Sequence, residues 1–327
     1  MRRRGRHFGF SDVINTLQEA TMKVEKITYG GWQNCYRLTN GVMELVVTAH
    51  VGPRIIRCGF VGDSNVFKEY PEMLGRTGGD EWRIYGGHRL WHAPEARPRT
   101  YYPDNEPVGL AQYPDHVRVT QPTEKSTGIR KEMDITLSGD GAHVRVLHRL
   151  TNVNLWAAHL APWALTVMPP GGTAILPLPP RGSHEANLPP TNSLTMWAYT
   201  DLSDPRWTWG RRYILLHQSP DHPQPQKLGV MAPDAWVVYV RDSTMFLKKF
   251  DYVAGATYPD MGATVETFTN AEMLELETLG PLAHLQPNAS IEHVEHWYLY
   301  RGVPVPMNEA DVDEHVLPKI GAAPREI

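Results

Sequence analysis

Two of the three glutamates in the segment Thr269 to Pro281, TNAEMLELETLGP, are spaced to share one strand face. Read as a strand, this run sends Leu274, Leu276 and Thr278 to one face and Met273, Glu275, Glu277 and Leu279 to the other. If the leucines enter a core, both glutamates lie on the opposite face, roughly 7 Å apart at a rise of about 3.3 Å per residue. Repulsion at that distance is moderate, so both can be ionised. A lone carboxylate of this kind does general acid–base work, and a pair at defined separation does glycoside hydrolysis. The competing reading is a solvated face, because carboxylates are normally exposed.

Two further segments carry groups of matching chemistry. YGGHRLWHAPE holds His88, Arg89 and Trp91, and LTNVNLWAAHLAPWALTV holds His159 and Trp163. An extended backbone puts His159 and Trp163 on one side, with Ala157 and Ala161 leaving room on that strand. Sugars present C–H faces that pack on indole rings, and their hydroxyls seek planar polar donors, so Trp91, Trp163 and Arg89 form a cradle for a sugar. Core packing competes for each of the ten tryptophans, a backbone-satisfied core histidine competes for His159, and an ion pair with Glu95 competes for His88 and Arg89. In IEHVEHW, His293 and Glu295 share a strand face. No convergent ligands from other segments can be named, so that run reads as a solvated edge strand and no metal is expected.

Other chemistries lack their motifs. The sequence has no GxxxxGK[ST] loop, no GxGxxG after a strand, no GxSxG elbow and no HExxH helix, and no cofactor is expected. A formal net charge of -4 and a pI near 6.4 provide none of the basic footprint that nucleic acid requires. Apolar runs fall short of the roughly 20 residues that span a bilayer, so no membrane partner is expected. Cys35 and Cys58 are the only cysteines, too few for a disulfide framework or a thiolate metal site, and a reducing cytoplasm is the expected location. The opening MRRRGRHFGF is basic but has no apolar stretch behind it, which argues against a secretory signal. Met22 is an alternative start.

The elements that must position these side chains are strands. KVEKITY, NCYRLTN, MELVVTA, RIIRCGFV, HVRVT, RKEMDITLS and HVRVLHRLTN, then AWVVYVRD, MFLKKFDY, TVETFTN, MLELETL and SIEHVEHWYLYRG, alternate or run apolar between turn residues. SGDGA at Ser138 to Ala142 reads as a hairpin turn. The expectation is one large, mostly antiparallel β domain over residues 23–303. It follows an N-terminal extension, 1–22, with a short helix near Asp12 to Glu19, and precedes a tail, 304–327, with another. The Pro-rich stretch Pro169 to Pro190 reads as a long surface loop.

Four of these segments, in order, resemble the galactose mutarotase-like superfamily, the fold of the aldose 1-epimerases. NCYRLTNGVMELVVTAHVGPRIIRCGF resembles its opening strands, and YGGHRLWHAPE the segment whose His, Arg and Trp contact the sugar. LTNVNLWAAHLAPWALTV is similar to the strand that carries the catalytic His, and EMLELETLGPLAHLQPNASIEHVEHWYL to the one in which a catalytic Glu ends an apolar strand. More narrowly, YGGHRLWHAPE together with YPDMGATVETFTNAEMLELETLGP resembles a functionally uncharacterised family on this fold. The resemblance implies a β supersandwich with Glu277 as general base and His159 as general acid. His88, Arg89, Trp91, Trp163 and Glu275 would bind substrate. The chain departs from the epimerase pattern after His159, with HLAPW in place of an aromatic-Phe-Asn turn.

Such a pair suits mutarotation, in which the anomeric hydroxyl loses a proton while the ring oxygen gains one, the ring opens to an aldehyde, and it recloses on the other face. The expected ligand is a small sugar or oligosaccharide. Two alternatives share the scaffold: a glycoside hydrolase or lyase using paired carboxylates, and a sugar-binding protein without catalysis.

Overall fold

The computed structural model describes residues 22–324. The basic opening and the helix expected near Asp12 to Glu19 lie outside the described residues. Two antiparallel sheets stack face to face. The larger, of eleven strands, runs in hydrogen-bonded order β1 (Lys23–Tyr29), β2 (Trp32–Thr39), β3 (Met43–Thr48), β4 (Arg54–Phe60), β5 (His88–Ala93), β10 (Ala158–Met168), β19 (Leu274–Leu279), β18 (Val265–Thr269), β15 (Gln226–Val230) and β12 (Leu194–Met196), with β20 (Ala283–Leu285) beside the start of β10. The ten-stranded sheet runs β13 (Trp207–Trp209), β14 (Tyr213–His217), β11 (Thr173–Pro177), β16 (Trp236–Arg241), β17 (Thr244–Phe250), β21 (Ser290–Arg301), β9 (His143–Asn152), β8 (Ile129–Leu137), β7 (Val117–Thr120) and β6 (Gly109–Gln112). This is the mostly antiparallel β supersandwich that the sequence implies.

Alternation decides which side chains meet between the sheets. Leu274 and Leu276 of β19, Leu90 of β5 and Met168 of β10 join Val146, Phe246 and Trp297 from the smaller sheet in one core. The opposite face of the smaller sheet is closed by the helical segment Glu309–Ala322, whose Val312, Val316 and Ile320 pack on Val238, Leu247 and Tyr298. Asn308 starts that segment by accepting a hydrogen bond from the Asp311 backbone N–H. The outer face of the larger sheet is covered by loops and holds its own small clusters, one of them Trp91, Ala93, Ala161, Trp163, Leu165 and Leu279.

SGDGA joins β8 to β9, with Leu137 paired to Val144 across the turn. The Pro-rich stretch departs from its expected form, since Thr173–Pro177 is the fully buried strand β11 between β14 and β16. Its apolar residues Ala174, Ile175 and Leu176 outweigh the flanking prolines. YGGHRLW forms the central strand β5 and the turn entering it. Gly86 and Gly87 have φ of +97° and +69°, and a Cβ would meet Lys68 O at 2.1 Å and Ile55 O at 2.3 Å, so only glycine fits there.

Candidate functional site

Strands β5, β10, β19, β18 and β15 lie side by side, and their outward residues form the floor of a cavity of about 310 Å³ on the outer face of the larger sheet. Trp163 and Trp91 are direct cross-strand partners, their rings 5.4 Å apart and edge to face. Trp82 and Tyr101 arrive from loops and pack on Trp91 at 5.5 and 5.1 Å, and Tyr199 adds a further wall. An aromatic box of this size matches a small ligand with apolar faces.

Charge enters the box at two points. Arg89 and Glu275, both nearly buried, face each other across β5 and β19, with Arg89 Nη2 donating to Glu275 Oε1 at 2.7 Å. The guanidinium lies 4.6 Å from the Trp91 ring centroid, which holds its plane by stacking. Glu95, the other partner considered for Arg89, instead accepts from the Tyr101 hydroxyl. The second point is Lys227 on β15. Its Nζ sits 4.6 Å from the Trp163 ring and 4.7 Å from that of Trp197, and lies 3.0 Å from both Glu277 Oε2 and Glu266 Oε2. Glu277 also accepts from Trp163 Nε1 at 2.9 Å.

Glu266 and Glu277 are cross-strand partners on β18 and β19, both wholly buried. Burial pushes the Glu266 carboxyl well above its ordinary range, with Lys227 opposing and Glu277 adding to the rise. Glu277 is raised for the same leading reason, again against Lys227. Burial would lower the Lys227 ammonium, but the two carboxyls outweigh it and hold it above its ordinary value. One ammonium thus sits between two carboxyl groups that compete for the remaining proton.

The site gathers five of the seven side chains expected from the sequence, but not on equal terms. Arg89, Trp91, Trp163 and Glu275 line the cavity. Glu277 does not, because Lys227 and Trp163 occupy the hydrogen-bonding positions around its Oε2 and it is 0% exposed.

His88 and His159 stand elsewhere. His88 alternates with Arg89 and so points between the sheets, where Nδ1 meets Thr166 Oγ1 at 2.8 Å and Nε2 meets His148 Nε2 at 2.7 Å; it is fully buried and faces away from the cavity. His159 keeps the face of Trp163, but at the far end of β10, exposed and stacked on His284 at 4.1 Å. Glu277 pairs with Leu165, six residues beyond His159, or about 20 Å along the strand. His159 instead lines a separate cavity of about 360 Å³ with His92, Arg99 and Thr127. Trp82, Tyr101, Tyr199, Lys227 and Glu266 escaped sequence reasoning. Glu266 had a signal, as the outward residue of the alternating run TVETFTN beside MLELETL.

Between the sheets, His88, His148 and Glu295 bring ligand-type atoms within 4.8 Å of one another. The run IEHVEHW is thus buried rather than a solvated edge, with His293 and Glu295 both inside. Lys248 Nζ donates to Glu295 Oε1 at 2.9 Å, Trp297 Nε1 donates to Oε2 at 2.7 Å, and His148 Nδ1 donates to the His293 carbonyl. Glu295 thus already has an ammonium and an indole N–H as partners, and the two Nε2 atoms hydrogen-bond to each other. The donor set is therefore that of a satisfied polar core.

The two stacked antiparallel sheets have the galactose mutarotase-like fold. The chain superposes on a candidate aldose 1-epimerase from Klebsiella pneumoniae with a TM-score of 0.57 at 13% identity, covering 92% of this chain and 87% of that one. A candidate mutarotase from Salmonella typhimurium gives 0.55 at 9% identity over 86% and 94% of the two chains. A galactose mutarotase-like protein from Lactobacillus casei gives 0.54 at 9% identity over 82% and 100%. No family model and no curated protein matches the sequence. No helix among the described residues is long and apolar enough to cross a membrane.

Proposed function

We propose that the protein binds a small reducing sugar in the aromatic cavity and interconverts its anomers. The observation that carries this reading is the composition of the cavity: the half-buried Trp82 and Tyr101 stand over the buried Trp91 and Trp163 as an apolar, aromatic lining, while Glu275, Arg89 and Lys227 offer one acceptor and two donors at its floor. Indole rings take the C–H faces of a pyranose and the charged groups take its hydroxyls. The fold supports the same reading, since neighbours on it are described as mutarotases and aldose 1-epimerases.

Anomer exchange needs a proton acceptor for the anomeric hydroxyl. Glu275 and Glu95 are the carboxylates that line the cavity; Glu95 accepts from the Tyr101 hydroxyl at the wall, whereas Glu275 stands on the floor with its orientation fixed by Arg89. Glu277, which the family resemblance marks as base, acts in this reading behind Lys227 rather than on the sugar. The Glu275/Glu277 pair does not suit a hydrolase, which needs two carboxyl groups facing the ligand, because only Glu275 of the two lines the cavity, and Glu95, which also lines it, is taken up by the Tyr101 hydroxyl. The test is a panel of reducing sugars and oligosaccharides, with binding followed by tryptophan fluorescence and anomer exchange by NMR. Saturable quenching with accelerated exchange supports the proposal. New reducing ends from a glycoside would replace it with hydrolysis, and binding with no acceleration would leave a sugar-binding protein.

A further inference from the structure

The cavity contains a base but, with His159 about 13 Å along β10 from Trp163, no imidazole to act as acid. We infer that Lys227 is the proton donor of this site, passing a proton held by the buried Glu266/Glu277 pair to the ring oxygen of the bound sugar. The inference rests on the anomer-exchange reading and adds its missing acid.

Three observations point to Lys227. It is the ammonium that lines the cavity floor; its Nζ is 3.0 Å from a carboxyl oxygen of each glutamate; and Trp163 and Trp197 flank it, so its position is fixed. The groups around it are Glu266 from β18, Glu277 from β19, and Tyr101, Tyr199 and Glu95 at the cavity wall. Asp260 acts electrostatically on Glu266, and Glu275 on Glu277. An ammonium stabilised by two carboxylates is by itself a reluctant acid. A carboxyl forced upward by burial is a better one, and Lys227 connects it to the ligand.

The step balances as follows. Lys227 gives a proton to the ring oxygen as it takes one from the Glu266 carboxyl, so it stays an ammonium. The bond from C1 to the ring oxygen breaks with its electron pair going to that oxygen. Glu275 takes the anomeric hydroxyl proton, and the freed O–H pair completes the C=O bond of the open-chain aldehyde. Rotation about the C1–C2 bond and the reverse transfers reclose the ring on the other face, restoring all three groups. Lys227 is the catalytic residue here, and Glu266 and Glu277 position and supply it.

The experiment compares the wild type with Lys227→Arg, which keeps the charge between both carboxyls but holds its protons too tightly to release them. The double variant Lys227→Met/Glu277→Gln removes one charge of each sign and so protects folding. Circular dichroism and thermal midpoints establish the fold, fluorescence gives sugar affinity, and NMR gives the exchange rate. Lys227→Met/Glu277→Gln should bind sugar more weakly, having lost a donor, and an exchange rate at saturating sugar lower by about 10² to 10⁴ in both variants is the expected result. Glu266→Gln should flatten the basic limb of the exchange-rate pH profile, a change that lost packing alone would not produce. Exchange within about threefold of the wild type in a folded, sugar-binding variant overturns the assignment. A wild type that binds sugar without accelerating exchange also overturns it while leaving the binding reading intact. If the wild type binds no sugar, both fall.

Discussion

Replacing Lys248 with Met tests how the polar core between the sheets is held together. Lys248 and Glu295 are both wholly buried, with Nζ and Oε1 2.9 Å apart. At an effective dielectric of about 20, opposite charges at that distance attract by about 6 kcal/mol. Methionine has nearly the volume of the lysine stem, so the substitution leaves little cavity; its cost is the carboxylate left without its cation. Removing one partner of a buried pair typically costs about 3 to 5 kcal/mol, and that is the loss expected in urea unfolding at pH 7. The penalty carries a pH signature. Burial alone would raise the Glu295 carboxyl, but Lys248, His148 and His293 hold it at about 2, so between pH 7 and 5 it is ionised in the wild type. In Lys248→Met a proton can replace the ammonium. The difference between variant and wild type should therefore shrink by up to about 1.4 kcal/mol per unit as the pH falls toward 5. Lys248→Met/Glu295→Gln should recover most of the loss. A single-variant cost below about 1 kcal/mol, or one independent of pH, would refute the ionic account of this core.

Buried titratable groups on both faces of the smaller sheet and beside it predict acid sensitivity. Burial depresses His143 to about 4 and His293 to about 3, while cationic neighbours overcome burial to hold Glu124 and Glu295 at about 2. The histidines contribute stability above their unfolded value near 6.5 that is lost as the pH falls toward 4 and 3, and the glutamates stability above about 4.5 that is lost toward 2. The raised Glu266 and Glu277 carboxyls oppose the histidines between about pH 6.5 and 4.5, so the urea midpoint should fall most steeply below about pH 4.5, and a midpoint unchanged from there to pH 3 would contradict the burial of these groups. His159→Ala should change sugar affinity and anomer exchange by less than about threefold, because His159 lies outside the aromatic cavity; an NMR exchange rate lower by orders of magnitude would restore it as the acid.

The strand pattern was legible because alternation is a local property. TNAEMLELETLGP by itself put Leu274 and Leu276 in the core and Glu275 and Glu277 on one outer face, whereas in YGGHRLWHAPE the resemblance gave His88, Arg89 and Trp91 alike to the substrate although alternation sets His88 opposite the other two. Local reading did not reach β11, where flanking prolines masked a buried strand, or IEHVEHW, whose polar residues looked solvated because their partners Lys248 and His148 come from other strands. Parity assigns a face, but only register assigns a place along it. That is why His159 and Trp163 share a side yet serve different cavities, and why Glu275 meets the cavity while Glu277, one pleat on, meets Lys227. The residues that complete the site come from β15, β18 and two loops, brought together by sheet order rather than spacing. The sequence on its own determined a large antiparallel β domain and, along alternating runs such as MLELETL, which residues face outward; the sandwich came with the resemblance. Strand register and sheet order, properties of pairs of distant segments, decided which of those residues face a ligand.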